Sequence, residues 1–332
     1  MGMNNIGLII FCSNENGKNG RKPRTLKNIC KLFYMKIKEI FVIKLPKNLL
    51  NKIKINENLD LILIKIPYKI CKSKKLGWLK LKRIKKIISR VCRENSIGKC
   101  LFSREAPDMP ELKRITRNPF TGEVIYVSLL NEILKRVALK KGVKVRDFNV
   151  VILDGEASVW LSPFIDLLSP RLRFLTVITA NRGRIQKKAD EIYNKTGLSA
   201  RVTDNVVSGL KDADIVINLG LPKGFYGHID MPDDVLIIDY EEPKGSIVAS
   251  KSINMNGIVI GLPPGIGEKI DKEFYRFFSK IEFSEIIILN KLGIGANINR
   301  NYADYVIMEE VYKCFKEDGY TLLSNGLSFV AM

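Results

Sequence analysis

Chemistry-bearing residues gather where apolar runs end. Val150-Val151-Ile152-Leu153 is followed by Asp154-Gly155-Glu156-Ala157-Ser158-Val159 and then by a helical stretch. A strand, a glycine turn and a helix N-terminus make a seat for a dinucleotide pyrophosphate, because free N–H groups and the helix dipole favour an anion there. Gly155 takes the place of the first glycine of a G-x-G-x-x-G fingerprint. Glu156-Ala157 stands where the backbone must come closest to the phosphates, and a carboxylate at Glu156 repels a pyrophosphate unless it points away. A second group follows the next apolar run, Phe174 to Thr179. It consists of Asn181, Arg182 and Arg184, with Lys187 and Lys188 one turn on. At this place an acid selects the free ribose of NAD, whereas guanidinium groups suit the 2′-phosphate of NADP. A plain solvated helix start fits the same residues.

Other constellations exclude more than they offer. Gly261-Leu262-Pro263-Pro264-Gly265-Ile266-Gly267-Glu268-Lys269 opens a helical stretch after a strand. A phosphate loop needs G-x-x-x-x-G-K-[ST], but here Glu268 precedes the lysine and Ile270 replaces the hydroxyl residue, so ATPase chemistry is rejected. The loop Gly220 to His228 follows the fourth strand of the second half, and Lys223 and His228 are the residues in it that could touch a ligand. An exposed loop histidine is the plainer reading. His228 is the only histidine, and the six cysteines (Cys12, Cys30, Cys71, Cys92, Cys100, Cys314) form no C-x-x-C pair. Zinc binding and His-based catalysis are therefore not expected, and the thiols read as reduced and mostly buried in a cytoplasmic protein.

The elements that must position these groups come next. At 332 residues the chain suits two domains, and 46% hydrophobic with 27% charged residues is enough to bury a large core. No run reaches the ~20 apolar residues of a membrane span, and the start of the chain lacks the basic flank of a signal peptide. Residues 1–100 hold 25 Lys and Arg against 5 Asp and Glu, so the whole formal charge of +20 sits in the first third. One consequence is a surface for nucleic acid, an anionic membrane or an acidic ligand. The other source of such a bias is an AT-rich genome rich in Lys, Ile and Asn codons. Ile62-Leu63-Ile64-Lys65-Ile66 fits that source, and so does the scarcity of aromatic residues among the cations.

Apolar periodicity predicts strands at Ile6–Phe11, Ile40–Leu45, Leu59–Ile66 and Cys100–Phe102. It predicts helices at Thr25–Met35 and Leu76–Val91. A Pro-rich connector spans 104–121, and a strong helix runs from Glu123 to Lys140, with Gly142 at its end. Five strands follow (Val150–Leu153, Phe174–Thr179, Ala200–Thr203, Asp214–Asn218, Val235–Asp239), with a sixth expected at Ile258–Ile260. Helices are expected at Ala157–Leu168, Ile185–Lys195, Val207–Lys211, Glu268–Lys280 and Ala303–Lys316. The fold class is α/β: a doubly wound parallel Rossmann-like sheet preceded by a smaller basic α/β domain. The expected division is 1–120, 121–265 with its leading helix, and C-terminal helices over 266–332 that pack back on the domains.

Ile178-Thr179-Ala180-Asn181-Arg182, Asp212 to Asn218, and Ile238-Asp239-Tyr240-Glu241-Glu242-Pro243 resemble the cofactor domain of shikimate dehydrogenases and the related glutamyl-tRNA reductases. The resemblance covers roughly residues 120–245 and extends to the layout of domains. It implies an NAD(P)-dependent oxidoreductase that passes hydride to or from a small hydroxy or keto acid in an interdomain cleft. It implies Gly155, Ala157, Asn181, Arg182, Arg184 and Asn218 as cofactor-binding residues, with NADP preferred. The family's catalytic lysine lies in a Pro-x-Lys segment after a first-domain strand, which Pro67-Tyr68-Lys69 matches, so Lys69 is the implied proton relay. The family's partner aspartate has no counterpart in Asn118-Pro119-Phe120-Thr121-Gly122-Glu123, where Glu123 is the substitute. The Ser and Asn groups that hold the family's substrate near the N-terminus have no clear counterpart here, though Ser13 and Asn14 follow the first strand. The alternative is a non-catalytic Rossmann binding or scaffold protein whose basic N-terminal domain contacts nucleic acid or another anionic partner.

Overall fold

Isoleucine and leucine dominate the strands, and the computed structural model shows why. It describes residues 4–11, 50–66, 78–103, 122–154, 160–219, 235–239, 252–254, 260–270, 272–294 and 305–322. Two compact units form, one from 1–120 with 264–279, the other from 121–263 with 280–332. The expected helix Thr25–Met35, the strand Ile40–Leu45 and the connector 104–121 lie outside the described residues.

In the first unit, β1 (Asn4–Phe11), β2 (Leu50–Asn56), β3 (Leu59–Ile66) and β4 (Ile97–Phe102) form a sheet of order β2-β3-β1-β4. Strand β1 is parallel to both β3 and β4, while β2 runs antiparallel to β3. Strand β2 went unrecognised in the sequence because it is an edge strand. Lys52 and Lys54 are exposed on it and only Ile55 is buried, which keeps an open edge from pairing with other chains. The turn after it is set by Asn58 N–H donating to Asn56 Oδ1 at 2.9 Å. Asp60 is fully buried at the start of β3, with Lys52 Nζ at 2.6 Å from its carboxylate. Helix α1 (Trp78–Glu94) turns Ile84, Ile87, Ile88 and Val91 onto the sheet, where they meet Ile9, Ile62, Ile64 and Phe102. That spacing is the apolar stripe of an amphipathic helix. Lys82, Lys86 and Arg93 stay exposed.

The second unit holds β5 (Asn149–Asp154), β6 (Phe174–Thr179), β7 (Ala200–Thr203), β8 (Ile215–Asn218), β9 (Leu236–Asp239) and β10 (Ser252–Asn254). All five neighbouring pairs are parallel, in the order β10-β9-β8-β5-β6-β7. Read from β7, this is 3-2-1-4-5-6, the doubly wound dinucleotide-binding order. Val150 to Leu153, Ile215 to Ile217 and Leu236 to Ile238 are buried on both faces, which is why they read as unbroken apolar runs. Helices α2 (Glu123–Lys141), α3 (Leu161–Leu168), α4 (Arg182–Thr196) and α5 (Val206–Leu210) accompany the sheet. Helix α2 ends on Gly142 at φ 67°, the left-handed conformation that glycine adopts without strain.

Two expectations are corrected here. The sixth strand is Ser252–Asn254, not Ile258–Ile260. Ile260–Gly261 forms β11 instead, antiparallel to β12 (Thr321–Leu322) in a separate two-stranded ribbon. The expected helix Glu268–Lys280 is absent as such. A single helical turn α6 (Pro264–Gly267) precedes that stretch, a 3-10 turn (Lys272–Arg276) lies within it, and the helix α7 runs Lys280–Lys291. Every residue from Ile281 to Leu289 is buried, so α7 carries no amphipathic period to reveal it. Helix α8 (Tyr305–Glu317) packs on α2, and Ser128 Oγ on α2 lies 3.4 Å from Met308 Sδ. No helix among the described residues is long and apolar enough to cross a membrane.

Candidate nucleotide-binding edge of the parallel sheet

Each of the six parallel strands ends on a short polar residue: Asp154, Thr179, Thr203, Asn218, Asp239 and Asn254. The interiors of the central strands β5, β8 and β9 are apolar, so their polar ends stand at the carboxyl edge, where open α/β sheets bind ligands. The strand order reverses between β5 and β8, and the crevice of such a sheet opens at that switch point. Asp154 and Thr179 are register partners, and Asn218 pairs with Leu153 on one side and with Asp239 on the other.

Burial makes hydrogen bonding obligatory at this edge. Asp154 is 3% exposed and Asn218 2%. The Thr179 hydroxyl donates to Asp154 Oδ2 at 2.9 Å and accepts the Asn181 N–H at 3.1 Å. One side chain thus fixes both the acid on β5 and the turn out of β6. Thr203 repeats the device on β7, accepting the Asn205 N–H at 3.0 Å, and Asn205 Oδ1 then caps α5 by accepting the Ser208 N–H.

Helix α4 begins at Arg182, so Arg182, Gly183 and Arg184 form its first turn rather than a preceding loop. Asn181, Arg182 and Arg184 are exposed, and the first turn holds no acid. Cations at the positive end of a helix dipole cost roughly 0.3–1 kcal/mol each when exposed. Arg182 offsets part of this through Asp204, 3.6 Å away, but both side chains are more than half exposed and such pairs contribute little. Lys188, expected nearby as a further cation, is committed to Asp166 of α3 at 2.6 Å.

Glu123 is the first residue of α2, where a carboxylate suits the dipole. Its Oε2 accepts the indole N–H of Trp160 at 2.9 Å. Trp160 stands at the head of α3, on the carboxyl side of β5, so this bond ties the start of α2 to the same edge. Beside it lies a group that the sequence reading missed. Glu285, wholly buried on α7, accepts the N–H groups of Gly122 at 2.7 Å and Val124 at 3.1 Å. Burial pushes its carboxyl up to about 8, against the pull of those two donors, and the neighbouring Glu123 and Glu282 push the same way. Two acids, Glu282 and Glu285, inside the otherwise apolar run Ile281 to Leu289 were the available signal.

The structure therefore brings Asp154, Thr179, Asn181, Arg182, Arg184 and Asn218 to one edge. Lys69, Gly155, Glu156, Ala157, Lys223 and His228 lie outside the described residues. Lys269 is used structurally, its Nζ donating to Ile55 O at 2.8 Å within the first unit. A cavity of about 200 Å³ lined by Asn149, Phe174, Arg201, Ser208 and Asp212 opens at the amino ends of β5 and β6, the edge opposite the crevice. Among the described residues no group of three or more His, Cys, Asp or Glu could hold a metal ion.

No family model matches the sequence, and no curated protein matches it. Solved structures do. The L-tryptophan dehydrogenase of Nostoc punctiforme is 12% identical at a TM-score of 0.33, over 99% of this chain and 87% of its own. A shikimate 5-dehydrogenase from Listeria monocytogenes, solved with shikimate and NAD, is 11% identical at 0.31, over 86% and 96%. An anabolic ornithine carbamoyltransferase from Campylobacter jejuni is 10% identical at 0.29, over 95% and 87%. The fold assignment rests on strand order and register, not on these likenesses.

Proposed function

We propose that the second unit binds NADP at the carboxyl edge of its sheet and that the protein is an oxidoreductase acting on a small hydroxy or keto acid. The observation that carries this reading is the acid-free first turn of α4. Two exposed guanidinium groups and Asn181 stand there directly after β6, in a sheet of 3-2-1-4-5-6 order. That arrangement is costly to the isolated helix and is repaid by a bound dianion. Asn181, Arg182 and Arg184 would hold the adenosine ribose phosphate, Gly155 and Ala157 the pyrophosphate, and Asn218 the nicotinamide side of the crevice. When bound, the cofactor supplies hydride chemistry. Lys69 relays the substrate proton in this reading, and Glu123 stands in for the acid partner, kept oriented by Trp160. Thermal-shift titration tests it. NADPH raises the unfolding midpoint more than NADH does, by mass action on the folded state. A midpoint indifferent to both cofactors overturns it.

A second reading is favoured by Asp154. This buried carboxylate ends β5 where a diphosphate would approach, and it suits a sheet kept as a binding or scaffold module rather than as a cofactor site. The exposed cations of α1 would then meet an anionic partner such as nucleic acid. Retention on heparin that falls steeply with salt supports this reading, and indifference to salt removes the nucleic-acid part of it.

A further inference from the structure

In the first unit, Cys92 lies in the last turn of α1 and Cys100 lies within β4, and their Sγ atoms are 3.3 Å apart. Both are free thiols, Cys92 partly exposed and Cys100 buried. The turn between them is tightly held. Ser96 takes a positive φ of 51°, Asn95 N–H and Asn95 Nδ2 both donate to Val91 O, and Asn5 Nδ2 donates to Asn95 O at 2.7 Å. On the far side, Gly7 makes room for the second sulfur, since a Cβ there would come within 2.8 Å of Cys100 Sγ. A disulfide needs ~2.05 Å between sulfurs, so the two sulfurs stand on the order of 1 Å outside bonding distance. Ordinary core packing would need neither partial exposure of one thiol nor direct sulfur contact.

We propose that Cys92 and Cys100 are a peroxide-reactive dithiol that closes reversibly to a disulfide. The Cys92 thiolate attacks the O–O bond of a peroxide, which breaks. The sulfur becomes a sulfenic acid, and hydroxide (or alkoxide) leaves. The Cys100 sulfur then attacks that sulfur, the S–S bond forms, the S–O bond breaks, and water leaves with the Cys100 proton. Two electrons pass from the thiols to the peroxide, and an external dithiol returns them. Exposure assigns the roles, with partly exposed Cys92 as the residue that attacks the peroxide and buried Cys100 as the resolving one. The contact between the two sulfurs holds the Cys92 thiol below its usual range, against its own burial, and together with burial pushes Cys100 up.

The test uses the full-length chain, reduced and then treated with a small excess of hydrogen peroxide near neutral pH, alkylated and digested with trypsin. Cleavage after Arg90, Arg93, Lys99 and Arg104 separates the two cysteines. The expected product is Val91-Cys92-Arg93 joined to the peptide Cys100 to Arg104, about 2 Da lighter than the sum of the two thiol peptides and released by dithiothreitol. In Cys100→Ser, peroxide leaves a dimedone-trappable sulfenic acid on Cys92, and in Cys92→Ser it leaves Cys100 alkylatable. The wild-type digest stands whether or not either variant folds. Peptides that stay separate after peroxide, or Cys92 joined to another cysteine instead, overturn the proposal.

Discussion

Replacing Glu285 by glutamine should change how stability depends on pH. The carboxyl loses its proton near 4.5 in the unfolded chain and near 8 in the folded one. A folded value raised in this way means that stability is fully present below about pH 4.5 and is lost as pH rises through about 8. The loss runs at about 1.4 kcal/mol per pH unit, up to roughly 5 kcal/mol at the top of the window. That is a large part of the ~5–15 kcal/mol of a typical domain. Glutamine is neutral throughout and keeps one acceptor oxygen for the two N–H groups of Gly122 and Val124. The unpaired one costs about 1–3 kcal/mol. Glu285→Gln is therefore less stable than wild type near pH 5 and as stable or more stable above pH 8, so the two curves cross. Urea unfolding followed by Trp160 fluorescence in a Trp78→Phe background reads the second unit directly. Parallel curves, with Glu285→Gln offset equally at every pH, would refute the reasoning.

Arg182→Ser with Arg184→Ser should weaken NADPH binding by about 10–100-fold and leave NADH unchanged, because only the ribose phosphate is lost as a partner; equal weakening of both, by calorimetry, speaks against a phosphate-selective turn. Gly7→Ala should destabilise the first unit by about 1–3 kcal/mol in urea melts, since the new Cβ meets Cys100 Sγ at 2.8 Å and Ile64 and Ile97 at 3.2 Å; an unchanged midpoint means that these side chains yield freely. Lys269→Met should cost about 1.5–3 kcal/mol through the bond to Ile55 O and leave NADPH affinity untouched; a lost affinity would return the Gly261–Lys269 segment to the phosphate chemistry rejected above.

The central strands were legible because parallel strands buried on both faces leave continuous apolar runs, each closed here by Asp, Asn or Thr. The edges were not. Ser252-Ile253-Asn254 is only three residues long and mostly polar, and Leu50–Asn56 shows the lysines and asparagines of an edge strand. Helix α7 hid for the opposite reason, being buried on every side from Ile281 to Leu289. Of the site, Asn181, Arg182 and Arg184 could be read because charge after a strand is a local signal. The hydrogen bond from Thr179 to Asp154 could not, since it needs the register of β5 against β6. The partners of Glu285 and the Cys92–Cys100 contact were illegible for the same reason, as each joins residues that only tertiary packing brings together.

The central claim is that the turn after β6 selects a phosphorylated dinucleotide. Isothermal titration of the wild-type chain with NADPH and with NADH tests it most directly. The account predicts saturable binding of NADPH, weaker binding of NADH and a gap that narrows with salt. No heat from either cofactor at millimolar concentration, or tighter binding of NADH, would contradict it.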